Sequence, residues 1–295
     1  MERKRTRAAY LFVLPFFVVF LAMLVAPLLY SGYISLFEQR LIGGQSFVGL
    51  DNYVRAFSDP ALLAGLWRVV LVLLIQVPIM LALSLAFALA LDSGRVRGSA
   101  LLRLLIFVPY AVPGVVAALM WAYLYGQDFG PIAQVFRAVG LGTPDFIAES
   151  TVLGSIMNIV TWEFAGYNMI IMYAALRAIP QELFEAAEID GANQLRIAWS
   201  IKIPAIRPAI MLTVIFSVIG SFQLFNEPSL LRGAAPTVIS GSFSPNMYAY
   251  TLAFVNQQLP YAAAVAFLLG LLIAIVSYVV QLSTQKREGS ERKNR

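Results

Sequence analysis

The chain has 295 residues, 60% of them hydrophobic and only 13% charged, with a mean hydropathy of +0.77 and a formal charge of +5. A water-soluble fold of this length could not cover so much apolar surface, so the composition specifies a polytopic membrane protein. With no Cys and no His there is no disulfide framework, no thiolate metal site and no imidazole proton shuttle.

In chain order, a basic segment at 1–8 (Arg3, Lys4, Arg5, Arg7) precedes a first apolar run at 9–34. That run is longer than a signal-peptide core of about 7–15 residues and lacks a small-residue cleavage site, so it reads as an uncleaved span. Residues 35–65 turn polar, with Gly43-Gly44 and Asp51-Asn52-Tyr53 marking a loop. The second span covers 66–91 and is interrupted by Gln76, Pro78 and Ser84. A short turn at 92–98 leads into the third, 101–125, which carries Pro109, Pro113 and Gly114. Breakers at membrane depth are tolerated where neighbours or a cavity satisfy the freed backbone groups.

Residues 126–154 form a second loop, and the fourth span, 155–176, is the least apolar, with Asn158, Thr161, Glu163 and Asn168. A charged loop at 177–208 separates it from the fifth span, 209–225; a third loop reaches Pro260, and the sixth span covers 261–282. Each run approaches the ~20 residues a bilayer core demands, so 9–282 reads as one all-α domain of six transmembrane helices. The basic tail, 283–295, has the composition of a disordered segment.

Six crossings place both termini on one side. Sixteen of the 21 Lys and Arg then fall on that side, leaving Arg40, Arg55, Arg68, Arg137 and Arg232 opposite. This asymmetry puts the termini and the 177–208 loop in the cytoplasm. It also gives the basic residues a membrane explanation rather than a nucleic-acid one.

The 177–208 loop is richer in charge than a simple turn requires. Glu182, Glu185, Glu188 and Asp190 fill its first half, and Arg196, Lys202 and Arg207 its second, with Gly191 between. Pro180 suits a helical first turn, Glu182 and Glu185 complement the helix dipole, and Gly191 suits a left-handed terminus. Leu183, Ala186, Ala187 and Asp190 share one side, where two Ala leave room for close docking.

Glu185-Ala186-Ala187, three residues, Gly191, nine residues and then Ile201-Lys202-Ile203-Pro204 resembles the "EAA" loop of binding-protein-dependent ABC importer permeases. Ile203 is the single departure, where Leu is usual. Val48-Gly49-Leu50-Asp51-Asn52-Tyr53, Phe107-Val108-Pro109-Tyr110-Ala111-Val112-Pro113 and the Leu14-Pro15 segment are similar to the sugar-importer branch with an N-terminal span before a five-helix core. The resemblance implies a type I importer transmembrane domain whose EAA loop, through Glu182, Glu185, Ala186, Ala187, Asp190, Gly191 and Pro204, couples to a cytoplasmic ATPase. It further implies a second homologous permease subunit in a hetero-pair, two ATPase subunits, an extracytoplasmic solute-binding protein and a sugar or polyol substrate. Leu231 to Pro236 lacks the family's Gly-Gly pair, and Glu163 departs from a usually neutral or basic position.

The chain has no phosphate-binding Gly-x-x-x-x-Gly-Lys-Ser/Thr, and none of its four Lys follows Gly. Cofactors bound by this chain are therefore expected to be none, with ATP and Mg held by the partner ATPase subunits. Glu163, the one deep carboxylate, must face the bundle interior or a cavity. With Tyr167 and Asn168 it forms a candidate polar strip for a polyhydroxylated solute, or else a helix–helix contact. Gln223, Asn226 and Glu227 are candidates for the substrate entrance. An ion-coupled secondary transporter is the alternative, but no inverted repeat is visible. A membrane enzyme would need clustered nucleophile, base or metal ligands, and none is apparent.

Overall fold

A computed structural model describes the backbone of residues 2–40 and 44–293 and the side chains of 10–39 and 44–282. The N-terminal and C-terminal basic side chains counted above, and that of Arg40, lie outside those limits. Five helices are long and apolar enough to cross a membrane: α1 (Tyr10–Ile34), α3 (Pro60–Asp92), α7 (Val152–Arg177), a fifth-span pair within Arg207–Leu231, and α13 (Leu259–Leu282). A bent pair, α4 (Ser99–Ala111) and α5 (Gly114–Leu124), whose axes meet at 97°, makes a sixth if the two are counted as one span.

The third span, expected as one run at 101–125 carrying breakers, is thus broken into two helices. Pro113 lacks an amide hydrogen and biases Val112 towards extended backbone, which it adopts at ψ 127°. The fifth span is also interrupted: α10 (Arg207–Phe222) ends, residues 223–225 leave the helix, and α11 (Asn226–Leu231) resumes where a loop was expected. The tail expected to lack structure continues the last helix to Lys293.

The loops hold more structure than their composition declares. β1 (Phe37–Arg40) and β2 (Gly44–Phe47) pair antiparallel, so the chain is not purely helical. α2 (Asp51–Ser58), α6 (Pro131–Ala138) and α12 (Pro245–Tyr250) occupy the three loops of one end. There Asp59 caps α3, accepting from the amides of Ala61 and Leu62, while its other oxygen accepts from the hydroxyls of Tyr248 at 2.7 Å and Tyr261 at 2.6 Å. Burial works to raise the Asp59 carboxyl, but the bonds from Tyr261 and Tyr248 together with those from the Leu62 and Ala61 amides outweigh it and hold the group below its ordinary value. The Tyr248 hydroxyl is pushed up to about 12, by burial first and then by its bond to Asp59.

The bundle centres on α3 against α7. Ser84 donates to the Ala165 carbonyl across this contact at 2.9 Å, and Ala88, Leu91, Met169, Met172 and Leu176 bury a shared seam. Gly166 lets α4 approach on the other side: a Cβ there would sit 1.9 Å from the Ile106 carbonyl oxygen. By contrast, the central window of α1 is wholly unburied, and the helix meets α13 near Gly32 and Phe267.

Candidate functional site: a polar cavity and a projecting loop

The cavity. A cavity of about 390 Å³ opens among α3, α4, α7, α10 and α11. Its polar lining is mostly uncharged: Gln76, Tyr110, Tyr167, Asn168, Gln223 and Asn226, with Glu227 the one ionisable acid. Five of the six pathway candidates, Tyr167, Asn168, Gln223, Asn226 and Glu227, therefore line the same cavity. The sixth, Glu163, does not line the cavity; it is 4% exposed and neighbours the Glu227 carboxyl, which is 8% exposed. The second oxygen of Glu163 is buried without a partner.

Two interruptions converge here. A Cβ on Gly114, at the bend of the third span, would lie 3.7 Å from the Asn226 amide nitrogen and 3.8 Å from a Glu163 oxygen. Glu163 thus stands where α5 begins, the end of a helix that favours negative charge. Asn226 and Glu227 open α11 just after the break in the fifth span. Broken helices inside a bundle leave backbone groups and polar side chains turned towards a cavity instead of lipid.

Some candidates are held more tightly than the sequence could disclose. Asn168 is 2% exposed and donates to the Phe164 carbonyl one turn back at 3.1 Å, so part of its capacity is spent within α7. Tyr167 stacks on Tyr110 at 4.6 Å between ring centroids, forming an aromatic plate between two helices. Gln223 and Asn226 are exposed. Gln76 went unremarked except as an interruption; it sits in a π-helical turn, Val72–Gln76, and donates to Thr161 at 3.2 Å. Its signal was a lone amide in an apolar run. Tyr110, Ser217 and Ser221 carried no such signal.

The loop. Between α7 and α10 the chain forms α8 (Glu182–Ile189), then α9 (Gln194–Ile197), a π-helical turn at Ala198–Lys202 and a last short turn, Ile203–Ala205, which contains Pro204. Glu182 and Glu185 occupy the first turn of α8, whereas Pro180, expected within it, precedes the Gln181 cap. Gly191 takes φ +79°, and the amides of Gly191 and Ala192 donate to the carbonyls of Glu188 and Ala187. This paired closure needs a left-handed residue, which explains the glycine. Asn193 caps α9 by accepting from the Arg196 amide at 2.8 Å.

Glu182, Glu185, Ala186 and Asp190 are exposed, but Ala187 turns half inward with Phe184. The two alanines therefore do not form one open face, as their adjacency implied. The outer surface also bears Leu183, Ile189, Leu195 and Trp199, with Ile189 86% exposed. Solvated helices seldom display so many large apolar groups without a partner surface.

Relatives. Residues 79–288 match the family described as "Binding-protein-dependent transport system inner membrane component". The lactose transport system permease protein LacF of Rhizobium radiobacter is 30% identical over 283 residues, spanning 95% of this chain and 94% of that protein. The arabinooligosaccharides transport system permease protein AraP of Bacillus subtilis is 30% identical over 96% of this chain and 89% of its own length. In fold, the chain is similar to a solved bacterial ABC transporter involved in import of the acidic polysaccharide alginate, with a TM-score of 0.85 at 19% identity over 97% of both chains. These relationships favour ATP-driven import over the ion-coupled alternative, and ATP hydrolysis belongs to a separate subunit. The chain belongs to the binding-protein-dependent transport system inner membrane component family: it is a multi-pass permease subunit of an ATP-driven importer.

Proposed function

We propose that this permease forms half of the pathway for a neutral sugar or related polyol, and that the 177–208 loop docks on the ATPase that drives it. The observation that carries the substrate reading is the cavity wall. Four carboxamides, Gln76, Asn168, Gln223 and Asn226, offer both donors and acceptors, and the Tyr110–Tyr167 plate offers an apolar ring face. Hydroxyl-bearing rings need that combination, since a site built of amides and aromatics matches both their edges and their faces. The lactose and arabinooligosaccharide transport named for two relatives supports the same class.

A second, homologous permease subunit completes the pathway, facing Gln223 and Asn226. An extracytoplasmic binding protein delivers the solute. Two ATPase subunits engage the exposed side of α8, with Glu182 and Glu185 pairing with their basic groups and Gly191 holding the return of the chain. The termini and this loop lie in the cytoplasm. ATP and Mg are bound by the ATPase subunits, not by this chain.

The test is uptake into proteoliposomes holding the complete importer and its binding protein, screened over neutral saccharides, polyols and non-sugar solutes. ATP-dependent uptake of a saccharide or polyol is expected, with Gln223→Ala and Asn226→Ala raising the half-saturating concentration. Uptake confined to non-sugar solutes, or wild-type kinetics in both variants, would overturn the substrate reading.

A further inference from the structure

At the loop end of the bundle, Lys202 is buried to 7% exposure although nothing in its local sequence marks it as a core residue. Its ammonium donates to Asp92 Oδ2 at 2.5 Å, with the two side chains 9% and 5% exposed. The same nitrogen lies 4.8 Å from the centre of the Phe184 ring. Three elements therefore meet at one charge: the return arm of the loop, the last residue of α3, and the inward side of α8.

The rest of this region is open. A cavity of about 450 Å³ lies beneath α8, lined by Asp92, Leu176, Arg177, Phe184, Glu185 and Lys202 among others. At the edge of this cavity Phe184 of α8 meets the Lys202 ammonium. An ion pair at this burial is a weak source of stability, because desolvating two charges offsets most of their attraction. What it supplies instead is a link: the attraction ties the return arm of the loop to the end of α3.

Asp92 ends the same α3 that supplies Val72, Gln76 and Met80 to the cavity wall. We infer that the Lys202–Asp92 pair is the positioning contact through which displacement of α8 is passed to α3, and so from the docking loop to the solute cavity. Lys202 and Asp92 touch neither solute nor nucleotide; they act by holding α8 and α3 in register. The inference rests on the reading of 177–208 as the docking loop.

The test uses the assembled importer and reads solute imported per ATP hydrolysed. Lys202→Met and Asp92→Asn should each retain hydrolysis but lower that ratio by roughly three- to thirtyfold, the range found for residues that carry coupling. The exchanged pair, Lys202→Asp with Asp92→Lys, should recover much of the loss, which a merely volume-filling role would not allow. Because a single change strands a buried charge, the double variant Lys202→Met, Asp92→Leu is measured as well; it should assemble and remain uncoupled. A wild-type ratio in the double variant would overturn the inference, and so would a double variant that fails to assemble, since the pair would then serve folding. If instead Gly191→Arg leaves ATPase docking and uptake intact, the fault lies with the docking loop itself.

Discussion

The cavity and the loop are built on opposite terms. Around the cavity, polar groups are buried among close-packed helices, Glu163 and Glu227 to 4% and 8% exposure, and backbones approach until only glycine fits at Gly166. On the loop, large apolar groups such as Ile189 and Trp199 stand in the open, and order comes from caps, a left-handed glycine and the Lys202–Asp92 ion pair. The first region should therefore tolerate exchange of similar chemistry but no added volume. The second should tolerate volume but no change in backbone path or cap.

The sharpest contrast comes from two glycines. Gly191→Arg adds a side chain where no atom lies within 4 Å, but at φ +79°. A non-glycine residue there costs about 1–2 kcal/mol locally, enough to shift the α8 return. We predict loss of most uptake in the reconstituted importer with the permease still folded, as judged by thermal unfolding in detergent. Gly166→Ala should do the reverse. Its Cβ meets the Ile106 carbonyl oxygen at 1.9 Å, so α4 must move, lowering stability by at least about 1–3 kcal/mol. A measurable fall in the unfolding midpoint checks this.

Smaller effects separate the two regions by chemistry. Glu227→Gln keeps the volume of the cavity wall and a polar group beside Glu163, so stability should change by less than about 1.5 kcal/mol. The half-saturating solute concentration should change while solute imported per ATP does not. Glu185→Lys, on the loop, should alter that ratio and leave the half-saturating concentration alone. If both variants change the same quantity, the two regions are not functionally distinct.

The smallest effect lies at the far end, in the Asp59–Tyr248–Tyr261 cluster. The folded Asp59 value is held below the ordinary one. Its contribution is therefore complete above the unfolded value of about 3.9 and fades as pH falls through the folded value. Wild-type unfolding should thus lose an increment below about pH 4 that Asp59→Asn lacks. Matching pH profiles would deny the cluster that role.

How much of this was legible follows from the range of each interaction. Hydropathy located the spans because insertion in lipid depends on one property averaged over about 20 residues. The loop was legible because its spacing is local, and Gly191 does adopt the left-handed backbone its position implied. The third-span bend was signalled by Pro113 and Gly114, but its 97° depends on how α5 packs against α11 and α7. The fifth-span break at 223–225 contains neither Pro nor Gly and is set by the tertiary fold. Glu163 meeting Glu227, and Lys202 meeting Asp92 across 110 residues, exist only once the helices have packed. The hairpin Phe37–Arg40 with Gly44–Phe47 was hidden because Gly43-Gly44 read as a loop and the flanking strands are short.

The chain has no Cys, so Ile189→Cys creates a single reactive thiol at the outer surface of α8. A membrane-impermeant maleimide should label it only when the cytoplasmic face is open to reagent, and addition of the ATPase subunits should protect it. Labelling from the outer face, or labelling that the ATPase leaves unchanged, would contradict the assignment of this loop as the point where the driving subunit engages.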